Sequence, residues 1–236
     1  MKKLILASTS TIYGSGYLEY LLPTLKSFFK GYKNLLFVPY ARPSGISYDA
    51  YTKIVSEAFK KIDINVFGLH TYSDKHQAIE KAEGIFVGGG NTFVLVNELY
   101  NQDLIEVLKH TIANGTPYLG TSAGSNIAGL TMQTTNDMPI VYPPSYYTLG
   151  CIPININAHY LDPDPVSKHK GETRETRIKE FHTYNKIPVI GLREGSWLHI
   201  SGDKVVLKGE LTARWFVKDK EPIEIETNQI LFSYNL

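Results

Sequence analysis

Four things are scarce in this chain, and each scarcity excludes something. There is one cysteine, Cys151, among 236 residues. It cannot close an internal disulfide, and no C-x-x-C or Cys/His cluster marks a structural zinc site. A reducing compartment is the natural reading. Charge of one sign is also missing: 24 Lys and Arg against 23 Asp and Glu leave a net charge of +1. Neither nucleic acid nor an anionic membrane is therefore expected as a partner. No apolar run approaches the ~18 residues of a membrane-spanning helix. The opening Lys2-Lys3-Leu4-Ile5-Leu6-Ala7 resembles a signal peptide only briefly, because Ser8-Thr9-Ser10-Thr11 ends it. It reads as a first core strand, and a cytoplasmic protein is expected. Finally, no linker, internal repeat or low-complexity tract breaks the chain, so residues 1–236 are expected to form one domain. With 43% hydrophobic and 20% charged residues, the composition is that of a globular protein long enough to bury a core.

Alternation dominates the first half. Continuous apolar runs at 3–7, 34–40, 64–69, 84–87 and 116–119 read as strands covered on both faces. Helical patterns lie between them, near 17–29, 48–62, 75–82 and 92–113; Ile54, Val55, Ala58 and Phe59 share one helical face. Pro23 predicts a kink or boundary in the first helix. Strand-helix alternation of this kind predicts an α/β fold with a doubly wound, mostly parallel sheet. The second half differs. A long loop is expected at 134–147, a helix at 172–184, and a strand at 187–192. Short alternating runs follow at 196–200, 204–207, 214–217 and 223–226, with Ser201-Gly202-Asp203 as a hairpin turn. A small antiparallel C-terminal extension is the expectation.

Against this frame one pentapeptide stands out. Gly120-Thr121-Ser122-Ala123-Gly124 spells G-x-S-x-G directly after an apolar strand and before a helical segment at 125–130. A nucleophile elbow requires small neighbours around a serine in a sharp strand-to-helix turn. The N–H of Ala123 would then face a developing oxyanion. A serine needs a base, and the base an orienting group. Among seven histidines, His159 ends the run 152–158, at the edge where open α/β sheets carry their sites. His70 also follows a strand-like run, His199 lies in an alternating strand, and His76, His110, His169 and His182 lie in polar surroundings. For the third position Glu194, after the strand at 187–192, competes with Asp137, which ordinary turn chemistry also explains. Gly88-Gly89-Gly90-Asn91-Thr92 lacks a phosphate-loop lysine; it could supply an oxyanion donor, or be a tight turn capped by Asn91 or Thr92. The charged run 168–177 places Arg174 and Arg177 on one helical face. It reads as a solvated surface or as an arginine fork for a carboxylate.

Taken together, these segments resemble the aspartyl dipeptidase, or peptidase E, family of serine peptidases. The matching pieces are Gly88–Phe93, Gly120–Gly124, Thr134–Val141, Asn157–Tyr160, Lys170–Glu175 and Gly191–Gly195, in the family's order. The resemblance implies a fold like that of class I glutamine amidotransferases, no cofactor, and hydrolysis of Asp-X dipeptides. It implies Ser122 as nucleophile, His159 as base and then acid, and Glu194 as the residue orienting it. Asp137 falls near the site in support. Gly90 and Ala123 become the oxyanion donors, and Arg174 and Asn91 contact the substrate, Arg174 through its side-chain carboxylate. The chain departs from the family pattern at Thr121, Ala158 and Tyr142. Two other readings of the same residues are a cyanophycinase-like hydrolase of β-aspartyl peptides and a non-catalytic binder of a small acidic metabolite.

Overall fold

In the computed structural model, residues 1–164, 166, 168 and 171–233 are described. His169 and Lys170, part of the charged run above, lie outside them. The first half builds the strands β1 (Lys3–Ala7), β2 (Asn34–Val38), β3 (Asn65–Gly68), β4 (Ile85–Val87) and β5 (Tyr118–Thr121). With them come the helices α1 (Leu22–Phe28), α2 (Tyr48–Lys60), α3 (Lys75–Glu80), α4 (Thr92–Asn101), α5 (Ile105–Ala113) and the short α6 (Ala123–Asn126). The second half adds β6 (Asn155–Ala158), α7 (Arg174–Tyr184), β7 (Val189–Leu192), β8 (Ser196–Ser201), β9 (Lys204–Gly209), β10 (Ala213–Phe216), β11 (Ile223–Ile225) and β12 (Ile230–Ser233).

The main sheet has the order β12-β9-β8-β1-β5-β4-β2-β3. The five strands from β1 to β3 run parallel. In β1, β2, β4 and β5 the continuous apolar sequence is explained by burial on both faces, whereas β3, at the sheet edge, leaves Phe67 exposed. Ile5, Phe37, Phe86 and Leu119 pack beneath Leu25 of α1 and Tyr51, Val55 and Phe59 of α2. Leu4, Leu6, Val38, Ile85 and Val87 face Leu95 and Leu99 of α4 and Leu108 and Ile112 of α5. Fully burying one such side chain stabilises the fold by about 1.5–3 kcal/mol.

Two expectations need correction and one holds. The pattern at 92–113 is two helices. Asp103 adopts φ 57° and the Leu104 N–H turns back to the Leu99 carbonyl at 2.8 Å, which ends α4 and buries Leu104. Periodicity carries straight through such a break, because Leu104 and Ile105 still face the core. Pro23 does mark a boundary: it lies in the first turn of α1, where its missing N–H costs nothing. The C-terminal strands are not one appended unit. β8, β9 and β12 extend the main sheet antiparallel from the β1 edge. β10 and β11 instead join β7 and β6 in a second, four-stranded sheet. Strand partners are chosen by tertiary packing, which a short apolar run such as Ile230-Leu231-Phe232 in β12 does not reveal. The second sheet has its own small core of Tyr160, Ile178, Val189 and Phe216. No helix among the described residues is long and apolar enough to cross a membrane.

Candidate active site

Ser122 follows β5, between the ends of β4 and β1. Its backbone has φ 52° and ψ −113°, outside the regions ordinary residues occupy. Such a conformation costs about 1–3 kcal/mol and persists only where surroundings over-determine it. Here they do. The Ser122 N–H donates to the Ala7 carbonyl at 3.1 Å. The Ser125 hydroxyl reaches the carbonyl oxygens of Ala7 at 2.6 Å and Gly120 at 2.9 Å. Tyr118 donates to the Gly124 carbonyl at 2.6 Å. A Cβ at Gly124 would run into the Val87 carbonyl, so the elbow can approach β4 only with glycine there. The helix after the serine is shorter than the 125–130 segment expected, because residues after Asn126 turn away and Leu130 donates to the Ile154 carbonyl at 3.1 Å.

The second sheet brings the partners. His159 follows β6 and Glu194 follows β7, two parallel neighbours. His159 Nε2 lies 2.9 Å from Ser122 Oγ, and Nδ1 lies 2.6 Å from Glu194 Oε1. A carboxylate only accepts, so Nδ1 carries the proton and Nε2 keeps a lone pair for the serine hydroxyl. Both side chains remain partly open to solvent, 38% for His159 and 49% for Glu194.

Two contacts missed by sequence reading fix this half. The Ser8 hydroxyl accepts from the His159 N–H at 2.9 Å and donates to the Leu192 carbonyl at 2.7 Å. It thus joins the end of β1 to the ends of β6 and β7, and supports His159 at φ 55°. Arg193 binds Asp162 through two bonds of 2.8 and 2.7 Å, Glu224 through bonds of 2.9 and 3.1 Å, and Thr212 besides. This ties the turn after His159 to the turn bearing Glu194. Arg193 holds the Glu224 carboxyl down at about 2. The only signal for Ser8 in the sequence is a serine at the end of the first strand.

The glycine loop lies against the elbow. A Cβ on Gly89 would come within 3.0 Å of Ser122 Cβ. Gly90 adopts φ 147° and presses on the Ala41 carbonyl, a position only glycine can take. Asn91 caps α4 by accepting from the Val94 N–H at 3.1 Å, and its amide donates to the Met138 carbonyl at 2.9 Å. Its side chain thus caps α4 and holds the 134–141 loop. Of the two acids that compete for His159, Glu194 is the one in contact, and Asp137 bonds elsewhere. Its Oδ2 accepts from the Thr92 N–H at 2.8 Å, the Thr92 hydroxyl at 2.5 Å and the Thr135 hydroxyl at 2.9 Å. It pins the 134–141 loop to the N-terminus of α4, where the helix dipole favours a carboxylate. Asp137 and Arg177 are also the charged neighbours of Arg174, whose guanidinium is partly desolvated.

The remaining candidates lie elsewhere. His70 pairs with Asp49 at 2.8 Å, and His182 contacts the Ile187 carbonyl at 2.9 Å. His199 sits in β8, with its pKa lowered by burial. Burial pushes the Cys151 thiol up to about 12, far from a reactive thiolate. Among the departures, Thr121 is buried in β5 while Tyr142 is exposed in the loop. No three His, Cys, Asp or Glu side chains among the described residues form a metal-ligand cluster.

A serine strained at a strand-helix elbow, with a histidine and a carboxylate in line, belongs to the class of serine hydrolases built on a mixed α/β sheet. The comparisons make this specific. The model of peptidase family S51 matches residues 4–208. The chain is 49% identical over 222 residues to the protein named "Peptidase E" of Streptomyces coelicolor, covering 94% of this chain and 90% of that one. It is 46% identical over 221 residues to the "Probable alpha-aspartyl dipeptidase" of Drosophila melanogaster, covering 92% and 91%. The crystal structure of a peptidase from an acI-B1 Actinobacterium superposes with a TM-score of 0.71 at 16% identity, over 99% of this chain and 97% of that one. The chain belongs to peptidase family S51.

Proposed function

We propose that this protein hydrolyses dipeptides with an N-terminal aspartate, through an acyl-enzyme on Ser122. The observation that carries the reading is the line of contacts from Ser122 Oγ to His159 Nε2 and from His159 Nδ1 to Glu194, at 2.9 and 2.6 Å. The Drosophila melanogaster relative's name specifies an α-aspartyl dipeptidase, and that substrate class comes from there. Ser122 Oγ adds to the aspartyl α-carbonyl carbon while its proton passes to Nε2. Glu194 stabilises the imidazolium that results. The oxyanion takes the Ala123 N–H, which has no intrahelical acceptor at the first position of α6, and the Gly90 N–H. The C–N bond then breaks as His159 returns the proton to the departing amine. Water, deprotonated by the same imidazole, releases aspartate from the ester. Arg174 receives the aspartyl side-chain carboxylate; Asp137, its acidic neighbour, belongs to the same wall of the pocket. The parallel core with its nucleophile after β5 also supports a class I glutamine amidotransferase-like frame.

The test is release of free aspartate from α-Asp-Leu, beside Leu-Leu and β-Asp-Leu. Release from α-Asp-Leu alone is expected. Ser122→Ala should lower it by at least ~10⁴-fold with the fold intact by circular dichroism. Release from β-Asp-Leu alone would replace this reading with the β-aspartyl one. Turnover retained in the variant would remove Ser122 from the mechanism.

A further inference from the structure

Arg174 neighbours Asp137 and Arg42 neighbours Tyr51 beside the glycine loop, and only Arg174 has a place in the reading above. Arg174 has Asp137 as its acidic neighbour, on the face of the main sheet where α4 packs. Arg42 lies beyond β2, on the face covered by α2. Its guanidinium carbon stands 4.9 Å from the centroid of the Tyr51 ring. The Tyr51 hydroxyl donates to the Gly89 carbonyl at 3.2 Å and lies 3.4 Å from that of Tyr17. One phenol ring therefore separates Arg42 from the loop that touches the nucleophile. The preceding residue belongs to the same assembly: the Ala41 carbonyl accepts from the Asn91 N–H at 2.7 Å and seats Gly90.

Arg42 is held but not satisfied. Its Nε is buried without an acceptor, and among the described residues no carboxylate pairs with it. Arg193, by contrast, is bonded to two carboxylates. A buried guanidinium donor left open calls for a ligand. A planar fork immobilised on an aromatic ring is matched to a carboxylate.

A dipeptide carries such a group in the right place. Its terminal carboxylate belongs to the departing residue, across the scissile bond from the aspartyl side chain. With that side chain taken by Arg174, Arg42 is the guanidinium left beside the glycine loop, on the face covered by α2. We propose that Arg42 binds the C-terminal carboxylate of the departing residue, and so selects dipeptides over substrates blocked or extended at that end. This rests on the Asp-X reading.

The experiment compares kcat/KM for α-Asp-Leu and α-Asp-Leu-amide in the wild type, Arg42→Met and Arg42→Lys, with thermal melts of each. The wild type should prefer the free acid by roughly 10–100-fold, the range of a hydrogen-bonded charge. Arg42→Met should bring the acid-to-amide ratio close to one. Arg42→Lys should give an intermediate ratio, because an ammonium keeps the charge without the fork. A wild type indifferent to the amide overturns the proposal without any variant. So does an unchanged ratio in Arg42→Met, whether or not its overall rate falls. Release of aspartate from neither peptide by the wild type would sink the Asp-X reading and this proposal with it. Cleavage of both at equal rates would sink only the proposal.

Discussion

The two halves of the site are built by different means. Ser122 stands on the main sheet, in an elbow written in five consecutive residues and fixed by backbone contacts to β1 and β4. His159 and Glu194 stand on the second sheet, 35 residues apart in sequence, partly exposed, and aligned by side chains from distant segments. The proposed nucleophile is thus held by local steric necessity. The proposed base and its acid are held by the docking of one sheet against the other. Ser8 is the direct fastening, since one hydroxyl touches the strand ends carrying both. Asn126 adds a second, with its Oδ1 accepting from the Ala158 N–H at 3.3 Å.

This contrast can be broken or sharpened by substitution. The largest effect after loss of the nucleophile is expected from Glu194→Gln. If Glu194 fixes the tautomer of His159, kcat should fall roughly 10²–10⁴-fold with KM little changed. Steady-state kinetics on α-Asp-Leu would show this. A variant with wild-type kcat would mean that the 2.6 Å contact does not orient the base. Ser8→Ala probes the joint between the sheets. Removing the buried hydroxyl leaves the His159 N–H unpaired, while the Leu192 carbonyl keeps the Tyr160 N–H, so a drop of about 10-fold or more in kcat is expected. Ser8→Thr, which keeps the hydroxyl, should recover part of it. Equal loss in kcat and in melting temperature for both variants would point to packing alone.

The smallest effect concerns the clamp around Arg193. The Arg193 guanidinium, with Thr212 and Arg214, holds the Glu224 carboxyl at about 2, below its ordinary 4.5. A depressed carboxyl stabilises the fold above its unfolded pKa, and the gain is lost as pH falls through the folded one. The wild-type melting temperature should therefore fall between about pH 4.5 and pH 2. Glu224→Gln should flatten that part of the profile while changing turnover at neutral pH only slightly. Parallel melting profiles for the two proteins would show that the clamp is not electrostatic.

How much of this was legible follows the same division. The parallel strands were readable because burial on both faces demands unbroken apolar runs, as at Ile85–Val87. The elbow was readable because an apolar strand precedes the G-x-S-x-G pattern and a helical segment follows it, a context that a plain glycine-rich turn does not need. The break at Asp103 was hidden, since the apolar period continues across it. The bonds of Asn91 and Asp137 were not legible, because a helix cap and a loop anchor carry the same residue types as a substrate contact. Arg42 drew no notice, as a single arginine after a strand has no pattern.

The sequence by itself determined the local pieces: the strands, most helices, and a serine forced into a turn only small neighbours permit. Periodicity and steric exclusion act over a few residues, so they leave a mark there. Only the tertiary structure decided which strands join which sheet, which acid reaches His159, and which guanidinium stands unpaired beside the glycine loop. Those outcomes depend on contacts between residues as far apart as Ser8 and His159, where the energy of a bond is set by what the rest of the chain excludes from the same space.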